Sequence, residues 1–316
     1  MKISVVIPTY NRASVIGGTI DSIAHQTLCP HEIIVVDDGS TDETRDVVEQ
    51  LSLKESPLRG RIRYIYQENQ GKSVALNRGL SQVSGDWIAY DDSDDVWLHD
   101  KLARQRVALE HFPDCGACVT NTAYGDSGIT TFEIAGARYA GEIGRLQDAR
   151  WFVRPTHGVM MQTVVVRTDV MMRTGQFDPR LRVGQDADFL FRLSLETPIC
   201  YVNAPLVALD RTPDPSRLTV RFPMLDVSRL ELTEHMLQQW RTLAPANDPR
   251  LQQALRSRLT EIRSAKANQL LHAGRATEAC GALAAALQDW FTLPVALKWI
   301  GARFAPGLAK RLVRQR

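Results

Sequence analysis

The chain has 316 residues, 44% hydrophobic and 23% charged, the balance of an ordinary soluble globular protein. A formal net charge of +2 gives no reason to expect a nucleic-acid partner. No apolar run is long enough to span a bilayer, and Ile3 to Ile7 is too short for a secretory leader, so the sequence predicts a cytoplasmic protein.

The first half alternates strand and helix signals. Ile3 to Ile7 reads as a strand buried on both faces, and Ile16, Ile20 and Ile23 then recur at helical spacing. Ile33 to Val36 is a second buried strand. It runs into Asp37-Asp38-Gly39-Ser40, where Ser40 and Glu43 have the spacing of a capping box for the next helix. Ile62 to Tyr66 is a third strand, followed by a helix marked by Leu76, Leu80 and Val83, and Trp87 to Tyr90 is the fourth. Repeated βα units predict an α/β fold with a doubly wound, mostly parallel sheet and helices on both faces.

Ligands of such sheets bind beyond the carboxyl ends of the strands. Three polar clusters directly follow predicted strands: Pro8-Thr9-Tyr10-Asn11-Arg12, Asp37-Asp38-Gly39-Ser40 and Asp92-Ser93-Asp94-Asp95. The last, with Asp91, gathers four carboxylates in five residues, which repel unless cations neutralise them. Oxygen donors without cysteine or histidine suit Mg²⁺ or Mn²⁺. A solvated turn with a helix cap explains the same residues. Two nucleotide signatures are excluded. Gly71-Lys72-Ser73 resembles the end of a P-loop, but Tyr66 stands where its first glycine belongs, and no GxGxxG follows the first strand.

A second acidic patch, Asp186 and Asp188, opens a buried helix marked by Phe189, Leu190, Phe191 and Leu193. The helix dipole alone accounts for carboxylates there, and a carboxylate at that place beside a cleft can also be a general base. Cys115-Gly116-Ala117-Cys118 lacks a second CxxC or a histidine pair and reads as packed thiols in a small-residue strand. His157, beside Gly158, reads as a packed histidine. Beyond Phe222, Leu- and Ala-rich helices run on, with breaks at Pro245, Pro249, Gly274, Pro294 and Pro306. After Asp289 every charged residue is basic, with Trp290, Phe291, Trp299, Ile300 and Phe304 among them. Such a segment suits a membrane-surface or partner-binding tail, or a helical appendage packed on the main domain with a solvated basic face.

Over residues 1 to 220 the ordered set of motifs resembles the family 2 glycosyltransferases, nucleotide-sugar-dependent enzymes with the GT-A fold. The matching pieces are Val5 to Arg12, Val36 to Asp42, Asn69-Gln70-Gly71 with Asn77-Arg78-Gly79, Asp92 to Trp97, Gly175 to Asp178, and Asp186-Ala187-Asp188 with Arg192-Leu193. The resemblance implies a nucleotide-sugar half over 1–112, an acceptor and catalytic-base half over 113–220, and a separate helical region over 221–316. It implies that Tyr10 packs on the nucleobase, that Asp38 hydrogen-bonds it, and that Pro8, Thr9 and Arg12 border the same donor site. Asp92 and Asp94 correspond to the DxD motif, with Asp94 on a divalent cation (Mn²⁺ or Mg²⁺) and Asp92 on the donor ribose or the metal. Asp186 matches the catalytic base. Lys72, Asn77 and Arg211 stand where contacts to donor diphosphate or sugar are expected.

The implied activity is inverting transfer of a sugar from a nucleoside-diphosphate sugar, a UDP-sugar in first place, to a saccharide or lipid-linked acceptor. Surface polysaccharide or glycoconjugate synthesis is the expected setting, with peripheral contact at the inner face of the plasma membrane through the basic region. Alternatives are a non-catalytic nucleotide-sugar binder or a sugar nucleotidyltransferase, though the latter would want a glycine-rich basic loop after the first strand. The sequence departs from the family pattern in three places. Gln185 replaces a frequent Glu before the base, Asp91 stands where an apolar residue is usual, and Arg211-Thr212-Pro213 lacks a histidine that many relatives carry.

Overall fold

The computed structural model describes residues 1–53, 58–123, 128–137, 139, 141–146, 148–209 and 226–312. Two compact units divide it, Met1–Pro213 and Asp214–Arg316.

In the first unit the strands are β1 (Ile3–Thr9), β2 (Glu32–Asp37), β3 (Ile62–Tyr66), β4 (Trp87–Tyr90), β5 (Val96–Trp97), β6 (Ala117–Ala123), β7 (Ile143–Arg145), β8 (Val165–Arg167) and β9 (Ile199–Ala208). The helices are α1 (Ile16–Ala24), α2 (Thr44–Leu53), α3 (Lys72–Leu80), α4 (Lys101–His111), α5 (Thr131–Ile134), α6 (Arg150–Val153), α7 (Thr168–Thr174) and α8 (Gln185–Glu196). One sheet runs in the order β3-β2-β1-β4-β8-β6-β9-β5, with β7 also on β9. The β3-β2-β1-β4 half is parallel, as the βα alternation predicts. Beyond β4 the sheet becomes mixed, because β8 pairs antiparallel with both β4 and β6 while β6 and β9 run parallel.

Strand alternation covers both faces. Val5, Ile7, Ile33 and Val35 share a core with Ile16 and Ile20 of α1 and Val48 of α2. Ile34 and Val36 point the other way and pack with Ala75 of α3. That second contact needs a glycine: a Cβ on Gly79 would lie 2.5 Å from Val6 Cγ1 and 3.1 Å from Val36 Cγ2. The strand ends are in register, Thr9 opposite Asp37 and Asp37 opposite Tyr66, so the turns after β1, β2 and β4 open on one rim.

One local expectation is corrected. Ser40 does not cap α2; its hydroxyl accepts from the Asn11 N–H (2.8 Å), and the Asp42 carboxylate takes the Thr44 N–H (3.1 Å). Asn11 sits at φ 51° and its side-chain oxygen accepts from the Thr41 N–H (2.8 Å). A short Asx side chain tolerates that left-handed backbone, and here it ties the first rim turn to the second.

The second unit contains α9 (Val227–Leu243), α10 (Pro249–His272), α11 (Ala276–Asp289), α12 (Leu293–Phe304) and α13 (Pro306–Leu312). Pro249, Pro294 and Pro306 all fall in first turns, where a missing N–H costs nothing. Its core is small and aliphatic, with Leu270, Leu271, Ala279, Leu283, Ala286, Val295 and Ala302. A chain of ion pairs braces it: Arg263 contacts both Glu234 (2.7 Å) and Asp289, and Arg241 contacts Asp289 (2.7 Å). Among the described residues no helix is long and apolar enough to cross a membrane.

Candidate active site

The acidic run between β4 and β5 is not one cluster but two pairs with opposite fates. Asp91 and Asp95 turn inward and are buried, while the Asp92 and Asp94 side chains keep 29% and 20% of their surface exposed. The turn is fixed by its own backbone and by distant side chains. The Asp95 N–H donates to the Asp92 carbonyl (3.2 Å), the Thr19 hydroxyl donates to the Asp95 carbonyl (2.8 Å), and the Gln162 amide donates to the Asp95 carboxylate (2.6 Å). The outward pair meets cations. Lys72 Nζ, at the start of α3, lies 2.6 Å from Asp92, and Arg12 Nε lies 4.0 Å from Asp94. Burial works against a charged Lys72, but Asp92, Asp186 and Asp95 outweigh it and hold the ammonium above its usual pKa.

Asp186 completes this group from the first turn of α8, which Gly184 opens in the left-handed conformation at φ 83°. Its Oδ1 is buried without a hydrogen-bond partner. Burial raises its carboxyl pKa above the ordinary value, opposed by Lys72 and assisted by Asp92. The helix carrying it is held twice over. Arg192 grips Asp188 through Nε and Nη2 (2.9 and 2.8 Å) while donating to the carbonyls of Thr174 and Gln176. Tyr90, Phe177 and Phe189 pack ring on ring beneath, with Phe177 stacked on Phe189 at 4.8 Å. Gln185, in place of the frequent Glu, is also buried, and its Oε1 has no partner.

The remaining expected residues divide by what their polar groups touch. Thr9 is buried at the rim with an unpartnered Oγ1, and Tyr10 is 43% exposed beside it. Pro8 is inside β1 opposite Val36. The buried Asp38 carboxylate already accepts from the Gln67 amide (2.7 Å) and from the N–H groups of Gln70 and Gly71 (both 2.8 Å), which shapes the turn into α3. Asn77 exchanges two hydrogen bonds with the Phe177 backbone (both 2.8 Å), bracing the segment before Asp186. Arg211 lies outside the described residues.

Sequence reasoning missed Gln162 and the buried Lys101, and named Asn11 only as a member of the turn after β1. Lys101 lies 3.8 Å above the Trp97 ring and donates to Gln105 (3.0 Å). Burial lowers its pKa to about 7 despite Asp91, whose own carboxyl is pushed well above the usual range by burial and by Asp95. An aspartate in the usual apolar position was the available signal. The cysteines of the CxxC are buried free thiols, and His157 is packed, its pKa lowered by burial to about 4.

Among the described residues no group of three or more His, Cys, Asp or Glu could hold a metal by protein ligands alone. The outward carboxylates Asp92 and Asp94 nevertheless fit a hard divalent cation that draws its other ligands from substrate phosphates and water.

The fold is thus a mixed α/β sheet whose rim carries the outward carboxylates Asp92 and Asp94 and, apart from them, the half-buried carboxylate Asp186. The family model for glycosyl transferase family 2 matches residues 4–165, and the chain belongs to that family. A PGL/p-HBAD biosynthesis glycosyltransferase of Mycobacterium bovis (strain BCG / Pasteur 1173P2) is 32% identical over 209 residues, 65% of this chain and 71% of that protein. A relative from Bacillus subtilis, provisionally named the teichuronic acid biosynthesis glycosyltransferase TuaG, is 40% identical over 39% of this chain. That match spans 46% of TuaG, and a match to an uncharacterized Nostoc glycosyltransferase spans 31% of the relative, so the chain covers half or less of these two. The crystal structure of S. aureus TarS 1-349 in complex with UDP-GlcNAc has the same GT-A-type fold, with TM-score 0.72, 18% identity and coverage of 99% of this chain and 90% of that one. Mannosyltransferase PcManGT from Pyrobaculum calidifontis, in complex with GDP-Man and Mn²⁺, matches at TM-score 0.60 with 18% identity, over 99% of this chain and 88% of that one.

Proposed function

We propose that the chain is an inverting glycosyltransferase that moves a sugar from a nucleoside-diphosphate sugar to an acceptor hydroxyl in cell-surface polysaccharide or glycoconjugate synthesis. The observation that carries this reading is Asp186: a half-buried carboxylate whose enclosed Oδ1 has no hydrogen-bond partner and whose pKa is raised, within electrostatic reach of the Lys72–Asp92 pair. One carboxylate pair faces cations and the other carboxylate is left able to accept a proton, the division of labour that a displacement at a sugar carbon requires.

In the proposed step Asp186 takes the proton of the acceptor hydroxyl as its oxygen bonds to C1 of the sugar. The bond from C1 to the diphosphate oxygen breaks on the opposite face, which inverts the centre. A positioned general base of this kind contributes about 10²- to 10⁴-fold. Lys72 and Arg12 supply positive charge to the departing diphosphate, Tyr10 offers its exposed ring to the nucleobase, and the second lone pair of Asp38 Oδ2 and the unpartnered Thr9 hydroxyl are left for the nucleoside. Asp94 and Asp92 would hold Mn²⁺ or Mg²⁺. Bound there, such an ion acts as a Lewis acid on the phosphate oxygens.

A UDP-sugar is the first donor to test, in keeping with the TarS complex, and the name of TuaG supports a cell-envelope setting. The test is nucleoside diphosphate release from UDP-, GDP- and dTDP-sugars with Mn²⁺, Mg²⁺ or chelator, with and without a membrane extract as acceptor source. Cation-dependent release from one donor, lost in Asp94→Asn, is expected. Binding of a donor with no release under any of these conditions would favour the non-catalytic alternative.

A further inference from the structure

One helix of the second unit carries an apolar face that the fold leaves uncovered. α12 buries Val295 and Ala302 in the aliphatic core, with Trp299 packed against it. On its other side Leu293, Leu297, Ile300 and Phe304 are 64%, 60%, 48% and 73% exposed. Their offsets of four, three and four residues put them within about 60° of one another around the helix and along about 16 Å of its axis. Phe291, 70% exposed, extends the stripe past the helix start. Isolated exposed hydrophobes are common, but a contiguous row of large ones at helical spacing marks a contact surface.

The charge of the segment that carries the stripe says what the contact is. Residues 290–316 contain six basic residues and no acidic one. Of these, Arg303 is exposed on the same helix against the Trp299 and Phe304 rings and Lys310 is exposed on α13, while Lys298 donates to Ser264 (3.2 Å). A basic amphipathic helix with large apolar side chains on one face sinks that face into the headgroup boundary of an anionic bilayer. From this juxtaposition we infer that α12 is a membrane-docking helix, lying in the plane of an anionic lipid surface with Leu297, Ile300 and Phe304 inserted. The inference is independent of the donor chemistry, and its test uses no activity.

The full chain is floated with vesicles of phosphatidylcholine alone and of phosphatidylcholine with 30% phosphatidylglycerol, alongside Leu297→Glu/Phe304→Glu and the milder Leu297→Ser/Phe304→Ser. The wild type should partition onto the anionic vesicles, and the glutamate variant should lose at least tenfold in partition coefficient while its melting temperature is unchanged. The serine variant should fall between them, and phosphatidylcholine alone should recover little protein. Equal recovery of wild type and the glutamate variant, or no recovery of either, overturns the inference. So does a dimer seen by sedimentation that the glutamate variant dissolves while vesicle binding stays the same, because the stripe would then be covered by a second copy.

Discussion

Lys72 has a measurable double role, because it holds the site's carboxylates in place before any donor or cation arrives. Its Nζ lies 2.6 Å from Asp92, with the two side chains 20% and 29% exposed, and Asp186 and Asp95 add to the field around it. Removing one partner of a fully buried pair costs about 3–5 kcal/mol, whereas an exposed pair is worth about 0–1 kcal/mol. With less than a third of either side chain exposed, Lys72→Met should fall between these limits, at about 2 kcal/mol. For a unit of this size that lowers the melting temperature by about 4–8 °C. The loss comes from an uncompensated Asp92, so Asp92→Asn added to Lys72→Met should recover most of it, a coupling visible in a double-mutant cycle. Mn²⁺ should raise the melting temperature of Lys72→Met more than that of wild type, since in wild type the ion competes with the ammonium for Asp92. Thermal melts of the four proteins with and without Mn²⁺ make the comparison. A Lys72→Met melting temperature within about 1 °C of wild type, or a loss that neither Asp92→Asn nor Mn²⁺ relieves, would refute the reasoning.

Two further outcomes concern residues that support the site. Asn77→Ala removes two hydrogen bonds to the Phe177 backbone, so urea unfolding should show a loss of about 2 kcal/mol, at about 1 kcal/mol for each bond; a change under about 0.5 kcal/mol would mean the clamp does not hold the segment. Lys101, at about 7 in the folded chain, titrates near 10.4 when unfolded, so the unfolded state binds the extra proton throughout that window. Stability should therefore rise with pH from about 7 to 10, and Lys101→Met, which keeps the packing on Trp97, should flatten that rise. Denaturant melts at several pH values decide it, and parallel curves for the two proteins would show that Lys101 stays charged.

What could be read in the sequence were the features with local periodicity. Buried runs such as Ile33 to Val36 and the proline and glycine breaks set the parallel half of the sheet and the helices of the second unit, because each is determined within a few residues. Asp92, Asp94 and Asp186 stood out because carboxylates cluster only for a reason. What escaped depended on partners far along the chain. Four aspartates within five residues look alike in sequence, yet Asp95 is turned inward by Gln162, sixty-seven residues on, and Asp92 is met by Lys72. The antiparallel strand β8 is three residues long, too short to show a period. Ser40 and Glu43 had the spacing of a capping box, but Asn11 competes for the Ser40 hydroxyl, an encounter that only the strand register creates. Asp38 and Asn77 stood out as polar residues near the rim, but their partners, the Gln67 side chain with the Gln70 and Gly71 N–H groups for Asp38 and the Phe177 backbone for Asn77, are contacts only the folded chain creates.

The most direct test of the account separates binding from chemistry at Asp186. Donor affinity by calorimetry and transfer to acceptor by product formation are measured for wild type and Asp186→Asn, which preserves shape while removing the proton acceptor. The account predicts a dissociation constant for the donor within a few-fold of wild type and a fall in turnover of about 10²- to 10⁴-fold. Unchanged turnover in Asp186→Asn would contradict it, since the proton would then be leaving by another group.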